Sequence, residues 1–137
     1  MKRLGMILTF TFIASMLNAA YLPTDAERAR WTMSDFRTIA TAAAAYKVDH
    51  GAYPTAKSID ELQKLVQPVY VKSLPTHDAW GNALRYVSDG KTMTIVSAGS
   101  DSAFNEASWG TPAKWMQSFS EDAVWTDGSF TRNWEYK

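Results

Sequence analysis

The sequence predicts an α+β domain in which one long N-terminal amphipathic helix packs on a small antiparallel β-sheet. Three observations predict it. Met33, Phe36, Ile39, Ala43 and Tyr46 recur at steps of three and four, which lays them along one face of a helix. From Pro75 onward, β-rich segments flank two Asp-Gly pairs, Asp89-Gly90 and Asp127-Gly128, a dipeptide suited to tight hairpin turns. The chain has 137 residues and 46% apolar content, enough for one domain with a core but not comfortably for two. The helix stripe and the sheet must therefore bury each other.

Residues 1–20 are set apart from the rest. Lys2 and Arg3 precede an uncharged run from Leu4 to Leu17, and Asn18, Ala19 and Ala20 follow, which is the layout of a secretory signal peptide cleaved after Ala19 or Ala20. The alternative is an uncleaved membrane anchor over 4–22, because the uncharged run continues to Leu22 and approaches the roughly 20 residues of a spanning helix. Thr9, Thr11, Ser15 and Asn18 weaken that second reading. Either way residues 21–137 form the globular domain outside the cytoplasm. Loss of Lys2 and Arg3 takes the 14 basic residues to 12, against 14 acidic ones.

The long helix should start near Pro23, where Thr24 and Glu27 have capping-box spacing and Asp25 and Glu27 place negative charge at the positive end of the dipole. Gly51 suits a left-handed cap at its end, and Pro54 prevents continuation. Ala42 to Ala45 allow close packing. A short second helix is announced by Ser58 and Glu61, with Ile59, Leu62, Leu65 and Val66 as its buried set and Pro68 beyond. Leu84 to Ser88 with Lys91 to Val96, and Ala123 to Thr126 with Phe130 to Trp134, are read as two hairpins. Between them Ser97 to Ser120 reads as a long loop, which in a small domain is either mobile or fastened by something specific.

Composition excludes several functions. The charges cancel and no basic run interleaves with aromatics, so the electrostatic footprint of nucleic-acid binding is missing. With no cysteine there is no disulfide, thiolate zinc site or cysteine nucleophile, so packing or an oxygen-ligated metal must stabilise an exported domain. His77-Asp78 lacks the surrounding elbow of a serine hydrolase. His50 lies at a helix end, where an imidazole suits the dipole. Glu106 and Glu121 can be imagined as a glycosidase pair only if they converge. Of the six tryptophans, Trp80, Trp125 and Trp134 read as core, while Trp109 and Trp115 either pack the loop down or form an exposed contact patch.

Several stretches together resemble the protein G (major pseudopilin) family of type II secretion: Tyr46-Lys-Val-Asp-His-Gly-Ala-Tyr-Pro54, Asp60-Glu-Leu62, Leu74-Pro75 and Asp78-Ala-Trp-Gly-Asn82. Leu84-Arg-Tyr-Val87, Ser97-Ala-Gly-Ser-Asp101 and Asp122-Ala-Val-Trp-Thr-Asp-Gly128 follow in the family's order, so the resemblance covers about Ala29 to Trp134. It implies a pseudopilin-like head with a calcium-stabilised loop, the metal held by Ser97, Asp101, Glu121 and Asp122; the alternative reading of the residues is that Asp101 and Asp122 only cap turns. Ser102 stands where the family's loop has glycine, and Glu121 where it has the first of two aspartates. At the N-terminus Met6 follows Gly5, and Phe10 occupies the position of the family's stem glutamate.

The expectation is thus an exported, non-enzymatic structural or interaction protein. Its partners are proteins: secretion or pilus components, or itself. Membrane contact follows only if the N-terminal segment is retained. The alternatives are a divergent membrane-anchored pseudopilin or minor pilin subunit, and a small secreted carbohydrate-binding module or hydrolase using the tryptophan-rich loop.

Overall fold

The computed structural model describes residues 21–136. The expected signal peptide, residues 1–20, lies outside the described residues, as does the alternative anchor except for Tyr21 and Leu22. None of the described helices is long and apolar enough to cross a membrane.

Helix α1 spans Asp25–His50 and begins as its sequence dictates. Thr24 accepts from the Glu27 amide and Glu27 returns a bond from the Thr24 amide, which satisfies two donors that a helix start would otherwise leave open. Gly51 ends it at φ 78°, with its N–H on the Lys47 carbonyl. Met33, Phe36, Ile39, Ala42 and Ala43 are buried, and Tyr46 is partly so. Helix α2, Ile59–Val66, is capped by Ser58, but Glu61 reaches the Lys57 amide rather than that of Ser58. It buries Ile59, Leu62 and Val66. Leu65, expected inside, is 42% exposed, because this eight-residue surface helix buries only the stripe of Ile59, Leu62 and Val66 that faces α1 and β1.

The strands are β1 (Arg85–Ser88), β2 (Met93–Ser97), β3 (Ala113–Met116), β4 (Ala123–Thr126) and β5 (Ser129–Trp134), in sheet order β1-β2-β4-β5-β3. Both expected hairpins form, β1 with β2 and β4 with β5. The sheet is nevertheless mixed rather than antiparallel, because β3 rises out of the expected loop and pairs parallel to β5 at the edge. Its four residues are too few for a readable alternation, and Trp115 at φ 60° interrupts the pairing between Ala113 and Met116.

Register assigns the two faces. Tyr86, Ile95 and Trp125 lie across from one another on the inner face, where α1 packs. Val87, Thr94, Val96, Val124 and Thr126 alternate onto the outer face. Trp134 is fully buried, and Trp80 meets it edge-on at 5.3 Å while donating its indole N–H to Asp25 at the start of α1. Helix, turn and last strand are fastened together there.

Candidate metal centre

The four residues expected to hold calcium come from the end of β2 and the approach to β4. Ser97 pairs with Ala123 in the register, so the two segments are adjacent. Gly99 makes the approach possible. At φ 75°, a Cβ there would lie 2.2 Å from the Phe119 carbonyl oxygen and 3.1 Å from that of Glu121. Only glycine lets the 97–101 segment lie flat against the 119–121 backbone.

Two of the four side chains are committed elsewhere. The Ser97 hydroxyl is buried, donates to Asp78 Oδ2 at 2.8 Å and accepts from the Gly99 amide at 3.2 Å. Asp78 also takes the Trp80 and Asn82 amides and the Asn82 side chain, so the Asp78 to Asn82 turn and the end of β2 share one carboxylate. Asn82 extends the tie to the Gly99 carbonyl at 3.0 Å. The Glu121 carboxylate, 46% exposed, faces Arg132 at 3.3 Å.

Asp122 is different. Only 2% exposed, it accepts from the Asn105 amide at 2.7 Å and the Trp109 indole N–H at 2.6 Å, both through Oδ2. Oδ1 is buried with no hydrogen-bond partner. Burial pushes the Asp122 carboxyl above the ordinary aspartate range against the pull of those two bonds, and the negative charge of Asp101 adds to the rise. Asp101 itself accepts from the Ala103 amide at 3.0 Å through Oδ1. Among the described residues no three His, Cys, Asp or Glu side chains are grouped to hold a metal ion. What is present is a buried carboxylate with one oxygen unpartnered and a second carboxylate, Asp101, near enough for its charge to be felt. Oxygen donors of that kind fit a hard cation such as calcium.

Sequence reasoning missed Arg132. It is 5% exposed and lies across from Val124 in the register. Its guanidinium donates to the carbonyls of Thr111 at 2.8 Å, Asp122 at 3.2 Å and Ser108 at 3.4 Å, as well as to Glu121. One internal cation thus ties the middle of the long loop, through the Ser108 and Thr111 carbonyls, to the Asp122 carbonyl just beyond its end. The alternation of β5 alone could not reveal this, since the carbonyls come from residues with no pattern of their own. Arg85 assists from β1, lying 4.2 Å over Phe104, 5.5 Å from Trp109 and paired with Glu106. Glu106 and Glu121 are held by different arginines, so no carboxylate couple forms between them.

Residues 22–111 match the family model for type II secretion system (T2SS) protein G. The chain belongs to that protein G family. The match runs from the start of α1 through the first hairpin and most of the loop, and Glu121 and Asp122 lie beyond it. The chain is also similar to the solved structure of the major type IV pilin PilA1 from Clostridium difficile, at 18% identity and a TM-score of 0.43. That similarity covers 56% of this chain and 58% of the pilin, little more than half of either. No curated protein matches the chain.

Within a protein G family member, the Asp78 turn, the Gly51 cap and the Ser97 to Asp101 segment recognised in the sequence occupy the turn, helix end and loop start.

Proposed function

We propose that the chain is an exported, non-enzymatic protein whose pseudopilin-like head works through protein contacts in the periplasm or at the cell surface. Secretion or pilus components, or further copies of itself, are the partners. The observation that carries this reading is the family match from α1 into the loop, joined to a domain whose polar side chains are spent on fastening the loop and turns. Trp109, the residue a sugar-binding loop would need free, gives its N–H to Asp122 and packs against Phe104 at 6.0 Å, which disfavours the carbohydrate and hydrolase readings.

The test is co-purification of the native, exported protein with type II secretion components from its own cells, together with export of a type II substrate after its gene is deleted. Co-purification and impaired export support the reading. Their joint absence sinks it. Intact mass and fractionation discriminate the divergent anchored subunit: a mass beginning at Ala20 or Tyr21 in the soluble fraction excludes it, and an intact N-terminus in the membrane supports it.

Calcium is proposed as the ion of the loop. Asp101 and Asp122 are the residues best placed to hold it, and Ser97 and Glu121 join through their oxygen atoms once ion binding competes with Asp78 and Arg132. The ion would supply positive charge to a buried carboxylate and fasten the ends of the loop. Isothermal titration with calcium, repeated on Asp101→Asn, reads this directly. No heat from the unaltered protein would dismiss the metal.

A further inference from the structure

Edge strand β3 carries an aromatic side chain that neither core nor loop uses. Trp115 is 64% exposed, and its backbone is left-handed at φ 60°, where a bulky residue is strained. Exposure and strain both cost free energy, and glycine or asparagine would avoid both. Its surroundings differ from ordinary surface. A cleft of about 270 Å³ between α1 and β3 is lined by Met33, Arg37, Lys114, Phe130 and Tyr136 as well as Trp115. Aromatic residues, Met and Arg are the types enriched in protein interfaces, and Trp, Tyr and Arg are the commonest hot spots.

The cleft has a firm floor and one sign of charge. Phe130 is stacked on Phe36 at 5.7 Å and meets Trp125 edge-on at 4.8 Å, so it is held from below. Arg37 lies 5.5 Å over Phe130 and donates to the Met33 carbonyl at 3.5 Å, which holds the guanidinium at the cleft. Among the described residues neither Arg37 nor Lys114 is ion-paired. Of the neighbouring carboxylates, Asp35 falls on the far side of α1 from Met33 and Arg37 by helical geometry, and Glu135 receives the Gln117 side-chain amide.

We propose that this cleft docks an acidic peptide segment of a protein partner, with an apolar side chain against Trp115 and Phe130 and a carboxylate between Arg37 and Lys114. Two unpaired cations select an acidic occupant, and the aromatic floor selects a peptide side chain over a bare anion. The inference deepens the reading of the head as a contact-forming protein by naming the surface and the chemistry of its partner.

The exported protein is titrated with capped peptides Glu-Glu-Phe-Glu-Glu and Lys-Lys-Phe-Lys-Lys while the Trp115 indole N–H is followed by NMR. The acidic peptide should shift that signal, with an affinity that falls as salt rises. Arg37→Glu combined with Lys114→Glu should weaken binding at least tenfold. Trp115→Gly, which removes the indole reporter and is therefore titrated calorimetrically beside the unaltered protein, should abolish binding while leaving Tm unchanged or higher, because glycine accepts φ 60° without strain. Equal binding of the basic peptide, or no binding of either, overturns the proposal. So does a neutral oligosaccharide that shifts the indole when the acidic peptide does not, or a dimer of this chain that forms through Trp115 and excludes the peptide. Co-purification with secretion components that survives in the absence of any peptide binding would overturn the cleft alone and leave the wider reading standing.

Discussion

At the scale of single residues, most polar side chains act by satisfying a nearby backbone group, and the exception is informative. Asp35 on α1 is half-buried, and burial alone raises its carboxyl above the usual range. A carboxyl raised in the folded state costs nothing below the unfolded aspartate pKa of about 3.9, and its cost grows as pH rises through the folded value. Asp35→Asn should therefore raise Tm at pH 7 by about 2 °C, with the gain fading toward pH 3, as measured by thermal melts across that range. A gain that persists at pH 3 would show that charge burial is not its cause. Asp78 instead follows the common pattern of serving nearby backbone, and its role was legible. Its place before Trp80-Gly81-Asn82 announced a carboxylate satisfying turn amides, and it accepts those of Trp80 and Asn82. The bond from Ser97 was not legible, because Ser97 is 19 residues away and its own position reads equally well as a metal ligand.

At the scale of elements, the parts with periodicity or punctuation were readable and the rest were not. Helix α1 is marked by Thr24, Glu27 and Gly51, and both hairpins by Asp-Gly pairs, all of them local signals. Strand β3 exists because a parallel edge on β5 is available, a property of the assembled sheet that Ala113 to Met116 do not encode by themselves. The loop carrying it depends on close approach, and two glycines with nearly the same φ separate conformation from contact. Gly51, at φ 78°, has nothing within 4 Å of a built Cβ, whereas Gly99, at φ 75°, would meet the Phe119 carbonyl. Gly51→Ala should cost about 1–2 kcal/mol for the left-handed backbone alone. Gly99→Ala should cost about 4 kcal/mol or more, since backbone must move as well. Urea melts of the two variants compare them, and equal losses would refute the close contact. Arg132→Met should strip donors from three carbonyls, that of buried Asp122 among them, destabilise by about 2 kcal/mol, and speed hydrogen exchange of the 105–111 amides ahead of those in β2. Uniform acceleration across the domain would mean the arginine holds the sheet rather than the loop.

At the scale of the whole molecule, the loop that closes the domain is fastened by one internal positive charge, Arg132, and a calcium ion is the proposed second. Arg132 ties the middle of the loop to the Asp122 carbonyl but makes no bond to the Asp122 carboxylate, whose Oδ1 is left buried and unpartnered. Without a cation that carboxylate is a net cost: its carboxyl is raised despite hydrogen bonds from Trp109 and Asn105. With calcium the cost should become a gain, because a ligand that binds only the folded state adds about 2.7 kcal/mol at a hundredfold excess over Kd. Asp122→Asn separates the two situations. In chelator at pH 7 the variant should melt at the same temperature as the unaltered protein or above it, since a neutral amide is cheaper to bury than an unpaired carboxylate. In millimolar calcium the order should reverse, with the unaltered protein rising by several degrees and the variant unmoved. Parallel melting curves under both conditions would instead mean that Arg132, with the packing of Trp109, closes the loop alone, and that this protein G family head has exchanged a bound metal for an internal guanidinium.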